Sequence, residues 1–257
     1  MSADHPIKLC DCGCGRPAPI AKETNNSRGW KKGEATRFLR GHWHTKRFVV
    51  LTPVQEQIMI GSLLGDGSII QTARNNGRFV KAQTERRREY LEWHFKAMQP
   101  ISKAISVGYH RKLISRRTAT GTVYEKSDTE ITTALTFRTS NATVFNGWRQ
   151  RWYPDGKKIV PQDFSLTPLS VAIWFCDDGV NQPKQQKAYF CTDCFSTDDC
   201  DWLSSKFAEM GISSSIYMSR GKPNLHILKS SYLDFMEMIR SYVVWSCFAY
   251  KIKISAT

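Results

Sequence analysis

Apolar positions recur along most of the chain at the spacings of buried helices and half-buried strands, and two of the most continuous apolar runs share one form. The first, LTPVQEQIMIGSLLGDGSI at 51–69, opens Leu-Thr-Pro: Thr52 can cap free backbone N–H groups and Pro53 suits the first helical position. The second, LTPLSVAIWFCDDGV at 166–180, opens the same way, and both reach Asp-Gly after an apolar stretch. A helix is expected in each, stopped at the Asp-Gly pair. A carboxylate at the negative end of a helix is disfavoured by a few tenths to about one kcal/mol, so Asp66 and Asp178 need compensating cations. The two copies lie 112 residues apart, 66 to 178, which points to an internal duplication.

The rest of the pattern supports two similar halves. Alternation predicts strands over 68–71 and 78–83 around the Asn-Gly step at Asn76-Gly77, then a helix over 86–99 with Tyr90, Trp93, His94 and Ala97 at helical spacing and Pro100 closing it. Two strands follow within 101–140, flanking a polar, basic excursion, and Asn141 can cap a helix reaching about 153. The stretch 154–164 has the composition of a linker. Beyond the second special helix come a polar excursion at 181–187, a strand over 188–192, a helix over 197–210, strands over 213–218 and 225–228, and a helix over 230–242. His94 reads as a core histidine, and Cys191 and Cys194 as packing residues.

Composition narrows the class of partner. With 37 Lys+Arg against 23 Asp+Glu the net charge is +14, which favours a polyanion over an acidic small molecule. No membrane-spanning run and no signal peptide are visible, so a cytosolic, intracellular setting with access to DNA is expected. Residues 1–47 differ from the rest, being polar, basic and rich in cysteine. Cys10, Cys12 and Cys14 with His42 would supply a tetrahedral Zn²⁺ site, although Cys-x-Cys-x-Cys departs from the usual Cys-x₂-Cys knuckle. A basic arm with thiol cysteines is the alternative, and it would still bind phosphates.

A two-stranded ribbon bearing Gln71, Arg74, Asn75, Arg78, Lys81 and Gln83 fits a B-DNA major groove, where Arg reads guanine and Asn or Gln reads adenine. Its counterpart in the second half would carry Asn181, Gln182, Lys184, Gln185 and Lys187. The excursion with Arg111, Lys112, Arg116, Arg117 and Lys126 is a candidate phosphate-binding loop.

IGSLLGDGSI and AIWFCDDGV resemble the signature of the LAGLIDADG homing endonucleases, in the monomeric form that carries two copies. GKKIVPQDFSLTPLSVAIWFCDDG is similar to the junction of that family, where two lysines precede the second helix, and Phe195 and Tyr250-Lys251 match further landmarks. The resemblance spans about residues 50–253. It implies an α+β fold of two pseudo-symmetric αββαββα halves, here 48–160 and 161–257, forming a DNA-binding saddle behind a zinc-finger-like extension at 1–47. It also implies that Asp66 and Asp178 bind divalent metal and that Lys158 and Lys251 flank it as further catalytic residues. Asp177 stands beside the ligand position, whereas Gly65 precedes Asp66.

The residues agree with that picture. Gly61, Ser62, Gly65 and Ala172 are small enough to let two helices approach closely, and two Mg²⁺ ions roughly 3.5–4 Å apart would neutralise the paired carboxylates. The function implied is site-specific double-strand cleavage of a long DNA target by a monomer, as in intron or intein mobility. Two alternatives share the same surface: an RNA-binding maturase acting on intron RNA, and an inactive sequence-specific DNA-binding regulator. Retention of Asp66, Asp178, Lys158 and Lys251 weighs against the last.

Overall fold

The computed structural model describes residues 8–10, 16–39, 49–71, 76–118 and 121–255, with the side chains of 110–118 and 121–132 left out. Two halves have the same element order. The first runs α1 (Pro53–Leu64), β1 (Gly67–Gln71), β2 (Gly77–Thr84), α2 (Arg88–Ala97), β3 (Ser102–Thr118), β4 (Gly121–Thr139) and α3 (Val144–Trp152). The second runs α4 (Pro168–Asp178), β5 (Gly179–Gln182), β6 (Lys187–Cys191), α5 (Thr197–Glu209), β7 (Ser214–Ser219), β8 (Lys222–Ile227) and α6 (Tyr232–Arg240). Each half holds a four-stranded antiparallel sheet, ordered β1-β2-β4-β3 and β5-β6-β8-β7.

Both special helices start as their sequences predict. Thr52 and Thr167 each accept a hydrogen bond from the backbone three residues on, and Gln55 and Ser170 return one to the cap residue. Neither helix shows a one-sided apolar stripe, because each is covered by its own sheet on one side and by the other helix on the other. α1 and α4 touch through their backbones. A Cβ on Gly61 would lie 2.3 Å from the Ser170 carbonyl oxygen and 2.9 Å from the Ile173 Cβ, and one on Gly65 would lie 2.5 Å from the Asp177 Cβ. Bare glycine permits that approach. One continuous core, from Ile58 and Leu63 to Ile173 and Phe175, therefore spans the two halves.

Aromatic contacts between the halves hold the outer elements. Phe164 stacks on Trp152 and meets Trp202 edge-on at 4.9 Å, while Trp245 meets Tyr90 at 4.5 Å and Trp93 at 4.9 Å. The short 3-10 helix Ser246–Ile252 is tied to α2 through Glu89, which accepts from the Ser246 N–H and hydroxyl.

Three expectations change. The basic excursion at 111–128 is largely backbone-paired hairpin and not a loop, since β3 and β4 extend through it and pair from Ser102–Thr139 out to Thr118–Gly121. Strand β5 (Gly179–Gln182) takes in the first two residues of the segment 181–187, expected to be a polar excursion. The zinc site is not supported. Cys12, Cys14 and His42 lie outside the described residues; Cys10 is buried, and its Sγ accepts from the Leu39 N–H at 3.3 Å. Among the described residues no group of three or more His, Cys, Asp or Glu side chains is gathered to hold a metal, and no helix is long and apolar enough to cross a membrane.

Candidate active site at the converging helix ends

The close packing of α1 on α4 brings their C-termini together, so that the Asp66 N–H donates to the Asp177 carboxylate at 3.2 Å. Asp66 is partly open to solvent and Asp178 is half-buried. Burial, followed by the negative charges of Asp66 and Asp177, pushes the Asp178 carboxyl up to about 7. Gln83 donates to Asp66 at 2.7 Å and accepts from Arg87 at 2.9 Å; the Arg87 guanidinium stands 3.9 Å from Asp66.

The cations called for by the helix ends are present, but they bind main chain. Lys158 donates to the carbonyls of Leu63, Gly65 and Gly67 at 2.8, 3.1 and 3.0 Å. Lys251 donates to those of Phe175, Cys176 and Asp177 at 3.0, 2.7 and 3.4 Å. An ammonium has three hydrogens, and each lysine has three carbonyl partners. Each one closes the end of its own half's helix; Leu63, Gly65, Cys176 and Asp177 supply carbonyls from the helix ends, Phe175 accepts from the Gly179 N–H as well, and Gly67 opens β1. Burial lowers the pKa of both lysines, while the nearby carboxylates oppose the shift.

Strand parity corrects several expected DNA contacts. Paired strands put residues two apart on one face, so Phe79, Lys81 and Gln83 share the helix-covered side, whereas Arg78, Ala82 and Thr84 face away from the core. Lys81 is fully buried with its ammonium 2.6 Å from Asp177, and Gln83 serves Asp66. Neither lies on the exposed ribbon. Gln71 is exposed at the end of β1 near Arg149 and Tyr153 of the α3 region, and Arg74 and Asn75 lie outside the described residues. Of the second set, Asn181 is spent on structure, donating to the Lys253 carbonyl and accepting from the Tyr232 hydroxyl. Lys184 and Gln185 lie on an exposed turn, and Gln182 pairs across β5–β6 with Lys187 on the open side of the sheet.

That open side carries residues the sequence reading passed over. Tyr189 stacks on His226 at 4.8 Å, Tyr217 leans on the same ring at 5.5 Å, and the Lys187 ammonium lies 5.5 Å over Tyr189. Cys191 has the same parity. With Cys194 it is exposed, and Asp178 helps raise both thiols after burial; they flank the acidic site and do not pack in the core as expected. Alternation from Lys187 through Tyr189 to Cys191 was the signal for this face. His94, fully buried and bonded to Ser62 and to the Tyr90 carbonyl, is a core residue.

A cytochrome b mRNA maturase bI2 of Debaryomyces hansenii is 28% identical over 198 residues, 73% of this chain and 70% of that protein. A probable intron-encoded endonuclease 1 of Wickerhamomyces canadensis is 24% identical over 212 residues, 78% of this chain and 85% of that protein. In structure, the chain resembles the homing endonuclease I-WcaI bound to its DNA recognition sequence, with a TM-score of 0.64, 20% identity, and coverage of 81% of this chain and 90% of that one. That likeness shows the same fold: two four-stranded sheets hung on a central helix pair. A profile of the LAGLIDADG DNA endonuclease family matches residues 56–235, and by that match across most of its length the chain belongs to this family.

Proposed function

We propose that the chain is a monomeric, site-specific double-strand DNA endonuclease that hydrolyses one phosphodiester per strand near Asp66 and Asp178. The observation that carries this reading is the pair of helix-end aspartates brought together between two sheets, each with a face turned away from the core. Two hard oxygen donors that have, among the described residues, no ammonium or guanidinium within hydrogen-bonding distance fit Mg²⁺, which is held by one or two carboxylates together with substrate phosphate oxygens. Burial first, and then the charges of Asp66 and Asp177, raise the Asp178 carboxyl further than Lys158 and Lys251 lower it, which leaves a site that gains from a bound cation. Divalent ions there would supply charge neutralisation and a water of lowered pKa.

The protein's own residues then do the following. Gln83 holds one Asp66 oxygen and leaves the other for a ligand; Arg87 orients Gln83 and adds positive potential where a phosphate would gain charge. Lys158 and Lys251 anchor the main chain beneath both aspartates and contribute their charge through space. On the open faces, Arg78 and Arg138 of the first half and Gln182, Lys187, Tyr189, His226 and Tyr217 of the second would meet the duplex. Lys184 and Gln185 extend that surface.

Asp66→Asn and Asp178→Asn test this reading on plasmids carrying the uninterrupted allele or a library of candidate sites, with and without Mg²⁺. Each substitution is expected to abolish double-strand cleavage, and an unaltered rate in both would sink the proposal. The maturase relative favours one second reading, binding of intron RNA by the same chain. Splicing of that RNA supported equally well by the Asp66→Asn protein would establish it as a separate activity.

A further inference from the structure

Beneath the aspartates lies a buried polar cluster that the cleavage reading does not use. Asp177 is fully buried and both its oxygens are occupied: Oδ2 accepts from Lys81 at 2.6 Å and from the Asp66 N–H at 3.2 Å, and Oδ1 accepts from the Tyr90 hydroxyl at 3.0 Å and Gln83 at 3.5 Å. Lys81 spends its other two hydrogens on the Tyr90 and Ser62 oxygens. Ser62 in turn bonds His94 Nε2, and His94 Nδ1 bonds the Tyr90 carbonyl. That carbonyl can only accept, so Nδ1 carries the proton and Nε2 accepts from Ser62. The cluster is satisfied throughout.

A buried ion pair is seldom the cheapest way to hold two helices together, because apolar residues of similar volume generally serve as well or better. What this pair supplies is a carboxylate fixed against Asp66. From Gly65 no side chain can reach the spot, since a Cβ there would overlap Asp177. Room exists for one wedge, and the second half provides it.

Resting on the endonuclease reading, we propose that Asp177, held by Lys81, is the positioning residue of the first-half site: it fixes the Asp66 backbone and Gln83, and it is not itself a metal ligand. The two sites are therefore unequal. Asp66 is tied down through Asp177 and Gln83, while Asp178 faces Cys191 and Cys194.

The test compares two double variants in the full chain. K81M/D177N removes both charges but keeps an acceptor oxygen for the Asp66 N–H; K81M/D177L removes the acceptor as well. Both are expected to fold. The Asp66 amide should keep its hydrogen-exchange protection within ~3-fold in the asparagine variant and lose it at least ~10-fold in the leucine variant, with sheet amides unchanged. In strand-resolved cleavage the leucine variant should cut one strand roughly 10-fold more slowly than the other, with DNA affinity preserved, while the asparagine variant cuts both alike. Equal amide protection in the two variants overturns the proposal, and so does equal slowing of both strands. Should the leucine variant not fold, K81M/D177A gives the same comparison. A wild-type protein that leaves its DNA intact refutes the endonuclease reading, and amide exchange still decides this one.

Discussion

Replacing Lys251 by Met should cost more in stability than in chemistry. The lysine is 5% exposed, and its ammonium donates to two carbonyls at 3.0 and 2.7 Å and to a third at 3.4 Å. Each hydrogen bond involving a charge contributes about 1.5–3 kcal/mol, and a cation at a partly buried helix C-terminus adds up to about 2 kcal/mol. Against these stands the cost of keeping an ammonium out of water. Removing the ammonium leaves its carbonyl partners short of a donor at about 1–3 kcal/mol each, and the relief of that desolvation offsets part, so the net loss is about 3–5 kcal/mol. At roughly 2–4 °C per kcal/mol for a chain of this size, the melting temperature should fall by about 6–20 °C.

Urea unfolding and calorimetry read the stability. Single-turnover cleavage, well below the variant's melting temperature and at saturating DNA, reads the chemistry. Lys251→Arg should recover little, because a planar fork does not match three carbonyls converging on one ammonium. Lys158→Met should lose less, since Lys158 is half-buried. An unfolding free energy for Lys251→Met within about 1 kcal/mol of wild type, with cleavage lost by more than ~100-fold, would refute the reasoning. The lysine would then act on phosphate, and its carbonyl contacts would be incidental.

The Asp178 carboxyl, raised to about 7 against an unfolded value of 3.8, gives stability that is fully present at low pH and is lost as pH rises through 7. Without divalent ions, Asp178→Asn should therefore melt above wild type at pH 8, with the difference shrinking toward pH 5; the opposite slope in paired melting curves would contradict the assignment. Stabilisation of wild type by Mg²⁺ should weaken about tenfold in apparent affinity per pH unit below 7, because the ion must displace that proton, and a pH-independent shift would count against Asp178 as a ligand. Gly61→Ala gains helix propensity yet puts a Cβ 2.3 Å from the Ser170 carbonyl oxygen, so a net loss of about 1–3 kcal/mol in urea unfolding is expected. Tyr217, 62% exposed, should be neutral for folding when replaced by Ala but should weaken target binding roughly tenfold; an unchanged dissociation constant would take the aromatic stack out of the interface.

Much of the fold was legible because it depends on patterns that tolerate no other reading. Leu-Thr-Pro openings, apolar runs and Asp-Gly endings recur at one spacing, and the order of elements follows. Even the lysines carried a signal that went unused: Lys158 follows Trp152 by six residues and Lys251 follows Trp245 by six, each Trp lying buried between the halves. The side-chain roles were harder to read, since a Lys or Gln in an alternating strand looks the same whether it meets DNA or a buried carboxylate. Parity decides, and Phe79 was the marker. A side chain two residues from a buried Phe points the same way, which assigns Lys81 and Gln83 to the interior and Arg78 to the open face. Asn181 shows a related effect: the polar composition of 181–187 predicts an excursion, whereas Asn181 lies in a strand and pairs with Ala188 on the core side.

The departures from the repeat also follow from geometry. Near a twofold axis a residue meets its own counterpart, so two identical side chains compete for one space. Gly61 and Ile173 are counterparts, 112 residues apart like Asp66 and Asp178, and a Cβ on Gly61 would lie 2.9 Å from that of Ile173. Gly65 and Asp177 are counterparts as well, at 2.5 Å. At both places the first half supplies glycine and the second supplies the side chain. Two identical chains related by this axis would have to place glycine at both counterparts, or two side chains in one space. A single chain carrying both copies can fill each space from one side, with Ile173 in the upper turn and an ion-paired carboxylate beside the reacting groups in the last. The same asymmetry that lets the helices approach closely leaves Asp66 and Asp178 in different surroundings, so, on the endonuclease reading, removing the Asp177 acceptor is expected to slow one strand more than the other.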